Sequence, residues 1–353
     1  HLSVDSRSIE TTKAMIAAAD LAAHVRDAAA LGVRADNVRV DYAALLAHKQ
    51  ATVKKLAGGI QSLLKAHGVT QLRGQASFQT RDRIRIDGAD GESTVWASKV
   101  IVATGSTSAV PGFLPKAPAV IESRAFLDLP DLPPRLVVMG GGYIGCELAC
   151  MAAMLGSKVT VVEMLEDVLM LLDADARREV RRSMEQHLGI RIVTGRGVDS
   201  VDAVAAGVRV KVGDETIEAD RLLVAVGRRP VTDGLHPERA GLWPDGKGYL
   251  RADGRNRTAV PGIYAIGDVN GGPQLAHAAT SQGTIAAEDA CGHRGRPNES
   301  LVPGVIFTMP EVALVGLTEA DAKAKGLAVK VGRFPFAALG RAIASGQTGG
   351  FVK

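Results

Sequence analysis

Residues Gly140 to Gly145 (GGGYIG) have the spacing of a turn that can hold the phosphates of a dinucleotide. An apolar strand pattern (135–139) precedes them and a helical pattern follows, and this is the context that gives a G-x-G-x-x-G match its meaning. Gly140 would permit the tight bend, Gly142 would let backbone approach a pyrophosphate, and Gly145 would let helix and strand pack closely. The start of the helix would then offer N–H groups and a positive dipole to the phosphates.

A carboxylate follows the next predicted strand, because Glu163 comes directly after the apolar run 158–162. Its oxygens can accept hydrogen bonds from the hydroxyls of an adenosine ribose, and its charge repels a 2′-phosphate. The pair of features therefore predicts NAD(H) in preference to NADP(H). The alternative is a structural glycine turn followed by a solvated glutamate.

Three further strand patterns also end at a glycine, in ATGS (103–106), AVGRRP (225–230) and AIGD (265–268). Glycine at such a place lets a ligand or another backbone come close. Taken singly, each has an ordinary explanation as a strand-to-loop turn, a helix cap or a solvated aspartate. Their order along the chain is what favours a common function.

The surrounding pattern predicts the elements that carry these turns. Helical spacing covers 12–31 and 42–66, and short strand patterns follow up to a buried strand at 100–103. Strands and helices then alternate from 135 to 195, which predicts parallel βαβ units. Residues 197–218 alternate apolar and polar, as small antiparallel strands do. The segment from Leu301 onward has a different residue pattern, which predicts a separate α+β segment.

Composition excludes several other classes. The 353 residues are 46% hydrophobic and carry a formal charge of +4, and no basic block is interleaved with aromatics, so nucleic-acid binding is not predicted. No apolar stretch reaches the length of a membrane span and no signal-peptide core is present. Three cysteines are too few for a disulfide framework. We expect a cytoplasmic protein of two or three domains, without a metal site.

The four glycine motifs, in this order, resemble those of the flavin-dependent pyridine nucleotide–disulfide oxidoreductases, and the likeness runs from Thr12 to the end of the chain. The resemblance implies an α/β fold with two nested Rossmann-like dinucleotide-binding domains, for FAD and NAD, followed by a partial α+β dimerisation domain. The implied divisions are the first part of the FAD domain without its amino-terminal βαβ (1–127), the NAD domain (128–250), the returning FAD segment (251–300) and a truncated dimerisation domain (301–353).

The resemblance also implies two sets of cofactor-binding residues. The NAD set is Gly140, Gly141, Gly142, Tyr143, Ile144, Gly145, Cys146, Glu147, Glu163, Val198 and Gly227. The FAD set is Ala76 near the adenine, Thr104, Gly105 and Ser106, Gly267 and Asp268 at the ribityl or pyrophosphate, and Gln274, Leu275, Ala276 and His277 along the ring through their backbone. Lys13 would pair with Glu147 near flavin N5.

The implied activity is the oxidation of dihydrolipoamide, with electrons passing to a disulfide, to the flavin and then to NAD⁺ as hydride. The implied partners are a second copy of the chain and the lipoyl domain of a 2-oxo acid dehydrogenase or glycine-cleavage complex. Two alternatives remain: a flavin enzyme of the same fold without a disulfide, such as an NADH oxidase or transhydrogenase, and a non-catalytic NAD-binding module.

The chain departs from the family pattern in three respects. It lacks a first G-x-G-x-x-G, a C-x-x-x-x-C pair and a carboxy-terminal His–Glu pair, so we expect an inactive fragment with no catalytic residue of its own. Aligning the start with the family's cysteine segment puts His1 and Ser6 at the cysteine positions, whereas counting back from Lys13 puts Ile9 there. Cys146 and Cys150, four apart on a predicted helix, are expected to be small core residues.

Overall fold

A computed structural model describes residues 6–293, 297 and 301–353, with side chains from residue 11 onward. Of the residues in the cysteine-register prediction, His1 lies outside the described residues, and Ser6 and Ile9 are described by their backbone only. The α-helices are α1 (Ser6–Asp27), α2 (Tyr42–Ala66), α3 (Ser123–Leu127), α4 (Tyr143–Leu155), α5 (Ala174–Gln186), α6 (Ala276–Ala290), α7 (Glu319–Ala324) and α8 (Gly340–Ala344). The two long helices predicted at the start of the chain are therefore confirmed.

The strands fall at the apolar and alternating patterns of the sequence. They are β1 (Gln75–Phe78), β2 (Arg83–Gly88), β3 (Gly91–Trp96), β4 (Val100–Val102), β5 (Ser106–Ser108), β6 (Val120–Glu122), β7 (Arg135–Met139), β8 (Lys158–Val162), β9 (Arg191–Val193), β10 (Ser200–Val204), β11 (Gly207–Val212), β12 (Glu215–Ala219), β13 (Arg221–Val224), β14 (Arg228–Pro230), β15 (Ile263–Ala265), β16 (Gly304–Ile306), β17 (Val312–Leu314), β18 (Phe334–Pro335) and β19 (Phe351–Val352).

The chain divides into two compact units. The first unit is built mainly from Val53–Thr107 and Arg228–Val302, and the second from Glu10–Thr52, Ser108–Gly227 and Pro303–Lys353. The division does not follow the domain boundaries expected from the sequence, since the second unit takes in early helical residues and the tail. Those boundaries stay a prediction.

The second unit contains a parallel five-stranded sheet in the order β6-β13-β7-β8-β9. The chain runs outward from β7 through β8 to β9, and later places β13 on the other side of β7. The carboxyl end of β7 is therefore a topological switch point, where open α/β sheets bind ligands. The antiparallel strands β10, β11 and β12 form a separate sheet, as the alternation at 197–218 predicts.

Helix α4 is the centre of the second unit's core. Its residues Cys146, Cys150 and Met151 are completely buried in the core cluster that also contains residues of β7 and β8. Both cysteines are free thiols, so the prediction that they are core residues is confirmed. Burial raises the pKa of the Cys150 thiol to about 12 and that of Cys146 well above its ordinary value. Neither side chain is positioned to act as an exposed thiolate.

The first unit holds the antiparallel sheet β1-β2-β3 and the parallel pair β15-β4. Its core gathers Phe78, Val102, Leu250 and Ala265 between them. The prediction that residues 100–103 are buried on both faces is wrong: only Val102 is buried, Val100 and Ala103 are half-buried, and Ile101 is 38% exposed. In the described part of the chain β4 pairs along one edge only, with β15, so this strand lacks the two-sided cover of a large parallel sheet.

Candidate functional site: two strand-end turns

The turn after β7 is fixed by close backbone packing. A Cβ on Gly140 would overlap the Ala225 carbonyl, and one on Gly145 would overlap the Gly140 carbonyl oxygen. Gly140 also has a φ of +110°, a conformation that suits glycine. The N–H of Gly140 donates to the Val162 carbonyl at 2.9 Å, which ties the turn to β8. Only glycine satisfies these two positions.

Gly142 differs from these glycines because it faces open space. A Cβ built on it would have no neighbour within 4 Å, and it is the N-cap of α4. The first N–H groups of a helix have no intrahelical partner and attract anions. Half-buried Tyr143 and Ile144 follow on the first turn of α4. In this turn Gly140 and Gly145 are enclosed by backbone, whereas Gly142 leaves space for a ligand beside the start of α4. This arrangement fits a pyrophosphate.

Glu163 lies directly after β8 and is buried beside the same turn. Its Oε2 accepts the Gly141 N–H at 2.6 Å, and its Oε1 accepts the Leu165 N–H at 2.8 Å. The two backbone donors hold the carboxylate at the end of the strand. Each oxygen keeps a second lone pair, with which it could accept a ribose hydroxyl.

Two other members of the predicted NAD set lie elsewhere in this unit. Val198 is buried in the cluster formed by β7, β8 and the antiparallel strands, and Gly227 is exposed with a φ of +135° and no neighbour around a built Cβ. The Cys146 side chain points inward and donates to the Gly141 carbonyl at 3.3 Å. Val198 and Cys146 therefore offer a cofactor little side-chain surface.

Glu147 and Lys13 interact through the residue Phe307. The Glu147 carboxylate accepts the Phe307 N–H at 2.9 Å, and the Lys13 ammonium lies 5.7 Å from the Phe307 ring centroid. Burial raises the pKa of Glu147 to about 7, while the Phe307 N–H and the Lys13 charge act to lower it. Lys13 and Glu147 therefore interact through their charges, as the predicted pairing requires.

In the first unit, the ends of β4 and β15 bring Ser106 and Asp268 together. Ser106 is buried, and its hydroxyl donates to Asp268 Oδ2. Thr104 donates to the Val231 carbonyl at 2.6 Å, and Gly105 has a φ of +72° with open space around a built Cβ. These residues leave room and a carboxylate for a hydroxyl-bearing ligand such as the ribityl part of FAD.

A network of buried amides supports the same loop, and nothing in the sequence motifs indicated it. Gln282 Oε1 accepts the Gly267 N–H at 2.6 Å and the Asn270 amide at 3.1 Å. Asn256 is fully buried at a φ of +63° and donates to the Gln282 carbonyl at 3.0 Å. The sequence carries no signal for it, because Asn256 lies between two arginines and Gln282 between a serine and a glycine, as surface residues commonly do.

The remaining predicted FAD residues lie on two different elements. Gly267 begins a short 3₁₀ turn with Asp268 after β15. Leu275 is the N-cap of α6, Gln274 is half-buried before it, and Ala276 and His277 are exposed on the first turn of that helix. Ala76 lies half-buried in β1, so it is the one member of the set on the antiparallel sheet.

The second unit has a phosphate-binding glycine turn at the switch point of its sheet. The first unit has a strand-end loop that carries a carboxylate. These two sites define a protein that binds two nucleotide cofactors. Residues 8–283 match the family model described as pyridine nucleotide-disulphide oxidoreductase, and residues 302–353 match the dimerisation domain of that family. The chain belongs to this family of oxidoreductases. The family assignment confirms the α/β fold class, the FAD and NAD cofactors and the resemblance stated from the sequence.

Named relatives are similar over nearly the whole chain. The dihydrolipoyl dehydrogenase of Halobacterium salinarum is 42% identical over 97% of this chain and 74% of its own length, and that of Chlamydia muridarum is 36% identical over 98% and 75%. Among solved structures, LpdA from Mycobacterium tuberculosis matches with a TM-score of 0.89 and 31% identity, covering 97% of this chain and 75% of that one. The HOCl-induced flavoprotein disulfide reductase RclA from Escherichia coli matches with a TM-score of 0.84 and 28% identity over the same shares.

No helix of the described residues has the length and apolar character needed to cross a membrane.

Proposed function

We propose that the full-length protein is a dihydrolipoyl dehydrogenase. In this reaction dihydrolipoamide loses two electrons and two protons as its ring disulfide forms, NAD⁺ gains a hydride, and one proton is released. The single observation that carries the proposal is the glycine turn with Glu163 at the switch point, in a chain 42% identical to a dihydrolipoyl dehydrogenase over 97% of its length. The turn would bind the NAD, and the names of the relatives suggest the substrate class.

Residues of the second unit would bind the pyridine nucleotide. The N–H groups at the start of α4, beside the open Gly142, would hold the pyrophosphate. Glu163, kept in place by Gly141 and Leu165, would accept the ribose hydroxyls and disfavour a 2′-phosphate. This assignment deepens the preference for NAD predicted from the sequence.

FAD, when bound, supplies the electron-pair chemistry that links the disulfide to the nicotinamide. Asp268 and Ser106 would orient it, and the backbone from Gln274 to His277 would line its ring. The cysteine pair of such enzymes is not assigned to Cys146, Cys150 or Cys291, because the first two are buried free thiols and the third is a lone exposed one.

The proposal includes the partners and location expected from the sequence. Residues 302–353, which match the dimerisation domain, would contribute to a homodimer. A lipoyl domain of a 2-oxo acid dehydrogenase or glycine-cleavage complex would deliver the substrate. A cytoplasmic location agrees with the small number of cysteines.

The test is a turnover measurement on the purified full-length protein. We expect a flavin absorbance spectrum and reduction of NAD⁺ that depends on dihydrolipoamide, with NADP⁺ at least tenfold less effective. A protein without flavin, or with flavin but without dihydrolipoamide turnover, would contradict the proposal. A Glu163→Gln variant should narrow the difference between NAD⁺ and NADP⁺.

A flavin oxidoreductase of the same fold without a disulfide is the second candidate. The observation that favours it is that Cys146, Cys150 and Cys291 are all free thiols, and a reaction of this kind needs no cysteine pair. It predicts NADH oxidation by oxygen or by another nucleotide in the absence of lipoamide. Turnover with lipoamide that is lost after alkylation of the reduced protein, while NADH–oxygen turnover persists, would favour the dihydrolipoyl dehydrogenase.

A further inference from the structure

Arg228, the first residue of β14, joins the two strand ends of the first unit. Its Nε donates to Ser106 Oγ at 2.6 Å, and its Nη2 donates to the Ser106 carbonyl at 2.8 Å. The side chain is only 15% exposed. The two bonds form a fork on a single residue, which fixes the guanidinium in one plane.

The fork decides the direction of the Ser106 hydroxyl. A guanidinium has donors and no acceptor, so the Ser106 oxygen must accept from Arg228 and send its own hydrogen elsewhere. That hydrogen goes to Asp268 Oδ2, and Arg228 Nε also lies 3.7 Å from this oxygen. We call the hydrogen bonds from Arg228 to Ser106 and from Ser106 to Asp268 the relay. The other carboxylate oxygen of Asp268, Oδ1, takes no part in it.

We propose that Arg228 is a positioning residue for the flavin cofactor: through Ser106 it fixes the Asp268 carboxylate so that Oδ1 meets a hydroxyl of the ribityl chain. The inference rests on the proposed function, because it requires that the protein binds FAD. Arg228 touches no cofactor in this account. It determines which oxygen of Asp268 faces the cofactor and holds the carboxylate in one orientation.

The neighbouring arginine provides a matched control. Arg229 is 56% exposed and pairs with Asp233 at 2.7 Å, four residues further on. Both arginines belong to β14, which pairs with β5 through its backbone, so the strand itself does not depend on either side chain. Comparing the loss of the Arg228 side chain with the loss of the Arg229 side chain therefore separates the effect of the relay from the general effect of removing a positive charge from β14.

The experiment measures FAD affinity in the apo form of the full-length protein. We expect Arg228→Met to weaken FAD binding by about 10- to 100-fold, Arg228→Lys to weaken it less, and Arg229→Met to stay within about twofold of the natural protein. Ser106→Ala should reproduce most of the loss. The double variant Arg228→Met/Ser106→Ala should then be no more than about twofold worse than the worse single variant, because both act on the same carboxylate.

Three results would overturn the inference. They are unchanged FAD affinity in Arg228→Met, equal losses in Arg228→Met and Arg229→Met, and losses that multiply in the double variant. If Arg228→Met lowers the melting temperature of the apoprotein, Ser106→Ala must still weaken FAD binding at unchanged melting temperature, and failure to do so rejects the relay. A natural protein that binds no FAD rejects the proposed function itself, which distinguishes the two failures.

Discussion

The two strand-end turns of this molecule are held by different kinds of atoms. In the second unit the turn after β7 is fixed by backbone, through the close approach of Gly145 to Gly140 and the bond from Gly140 to Val162. In the first unit the loop after β15 is fixed by side chains, through Gln282 and the Ser106–Asp268 bond. A turn held by backbone needs a contiguous glycine pattern, whereas one held by side chains draws its partners from distant parts of the chain.

The strongest test of this contrast is Gly145→Ala. The added methyl group would overlap the Gly140 carbonyl in a fully packed turn, so we expect the free energy of unfolding to fall by about 4 kcal/mol. Urea unfolding followed by circular dichroism measures it. Gly142→Ala is the matched control: its methyl group meets open space, so stability should stay within about 0.5 kcal/mol while NADH affinity falls. Equal destabilisation by both would show that the turn is not held by backbone packing.

The half-buried Glu147 carboxylate of the second unit should respond to pH. The pKa of Glu147 is about 7 in the folded protein against an ordinary 4.5, mainly through burial, so folding favours its protonated form. The stabilising contribution is therefore complete below about pH 4.5 and is lost as the pH rises through 7.

Relative to Glu147→Gln, which stays neutral, we expect the natural protein to lose up to about 2.5 kcal/mol of unfolding free energy between pH 5 and 8. Denaturant titrations at the two pH values measure this difference. The exposed Glu288→Gln should show no such change. A Glu147→Gln variant whose stability follows that of the natural protein at both pH values would refute the assignment.

In the first unit, Gln282→Leu tests the support by side chains. The substitution preserves bulk but leaves the Gly267 N–H without its acceptor and removes one of the two acceptors of the Asn270 amide, which keeps the Ala265 carbonyl; we expect a cost of about 2 kcal/mol. The melting temperature of the apoprotein and its FAD affinity should both fall. Ser281→Ala, an exposed change on the same helix, serves as the reference. No loss of either quantity would mean that the loop is held by its backbone, as in the second unit.

The smallest expected effect is that of Glu163→Gln. A glutamine offers a single acceptor oxygen, so one of the N–H groups of Gly141 and Leu165 loses its partner, and we expect about 1 kcal/mol of destabilisation. The ratio of NADH to NADPH affinity should fall by about tenfold, since the charge that repels a 2′-phosphate is gone. Comparative binding titrations check the ratio, with the exposed Glu166→Gln as control.

The contrast also explains how much of the molecule could be predicted from sequence. The unit β7-α4-β8 with Glu163 was predictable because all of its parts lie within residues 135–164. Its strands, its glycine turn and its helix each follow from the local sequence. The insertion of β13 between β6 and β7 was not, because strand order depends on packing between distant segments.

The first unit shows the same limit at the level of single residues. Asp268 could be picked out because it follows a strand and a glycine. The role of Arg228 could not, since its partner Ser106 lies 122 residues away, and that of Gln282 could not, since its partners lie outside its own helix. The exposure of Ile101 was missed for a related reason: an unbroken apolar run indicates burial on both faces, and the number of strands beside it cannot be counted from the run itself.

The path of the chain between Ser106 and Arg228 has a consequence for the order of folding. Joining two residues 122 positions apart carries a loop-closure entropy that a disordered chain cannot avoid. The intervening stretch Ser108–Gly227 belongs to the second unit, and the Ala109 N–H donates to the Gly227 carbonyl at 2.9 Å. Once that unit is folded, its two ends are already adjacent, so the remaining loop is a few residues long. We therefore expect amides of β7 and β8 to become protected before that of Val231, which pulsed hydrogen exchange during refolding can establish; simultaneous protection would reject this order.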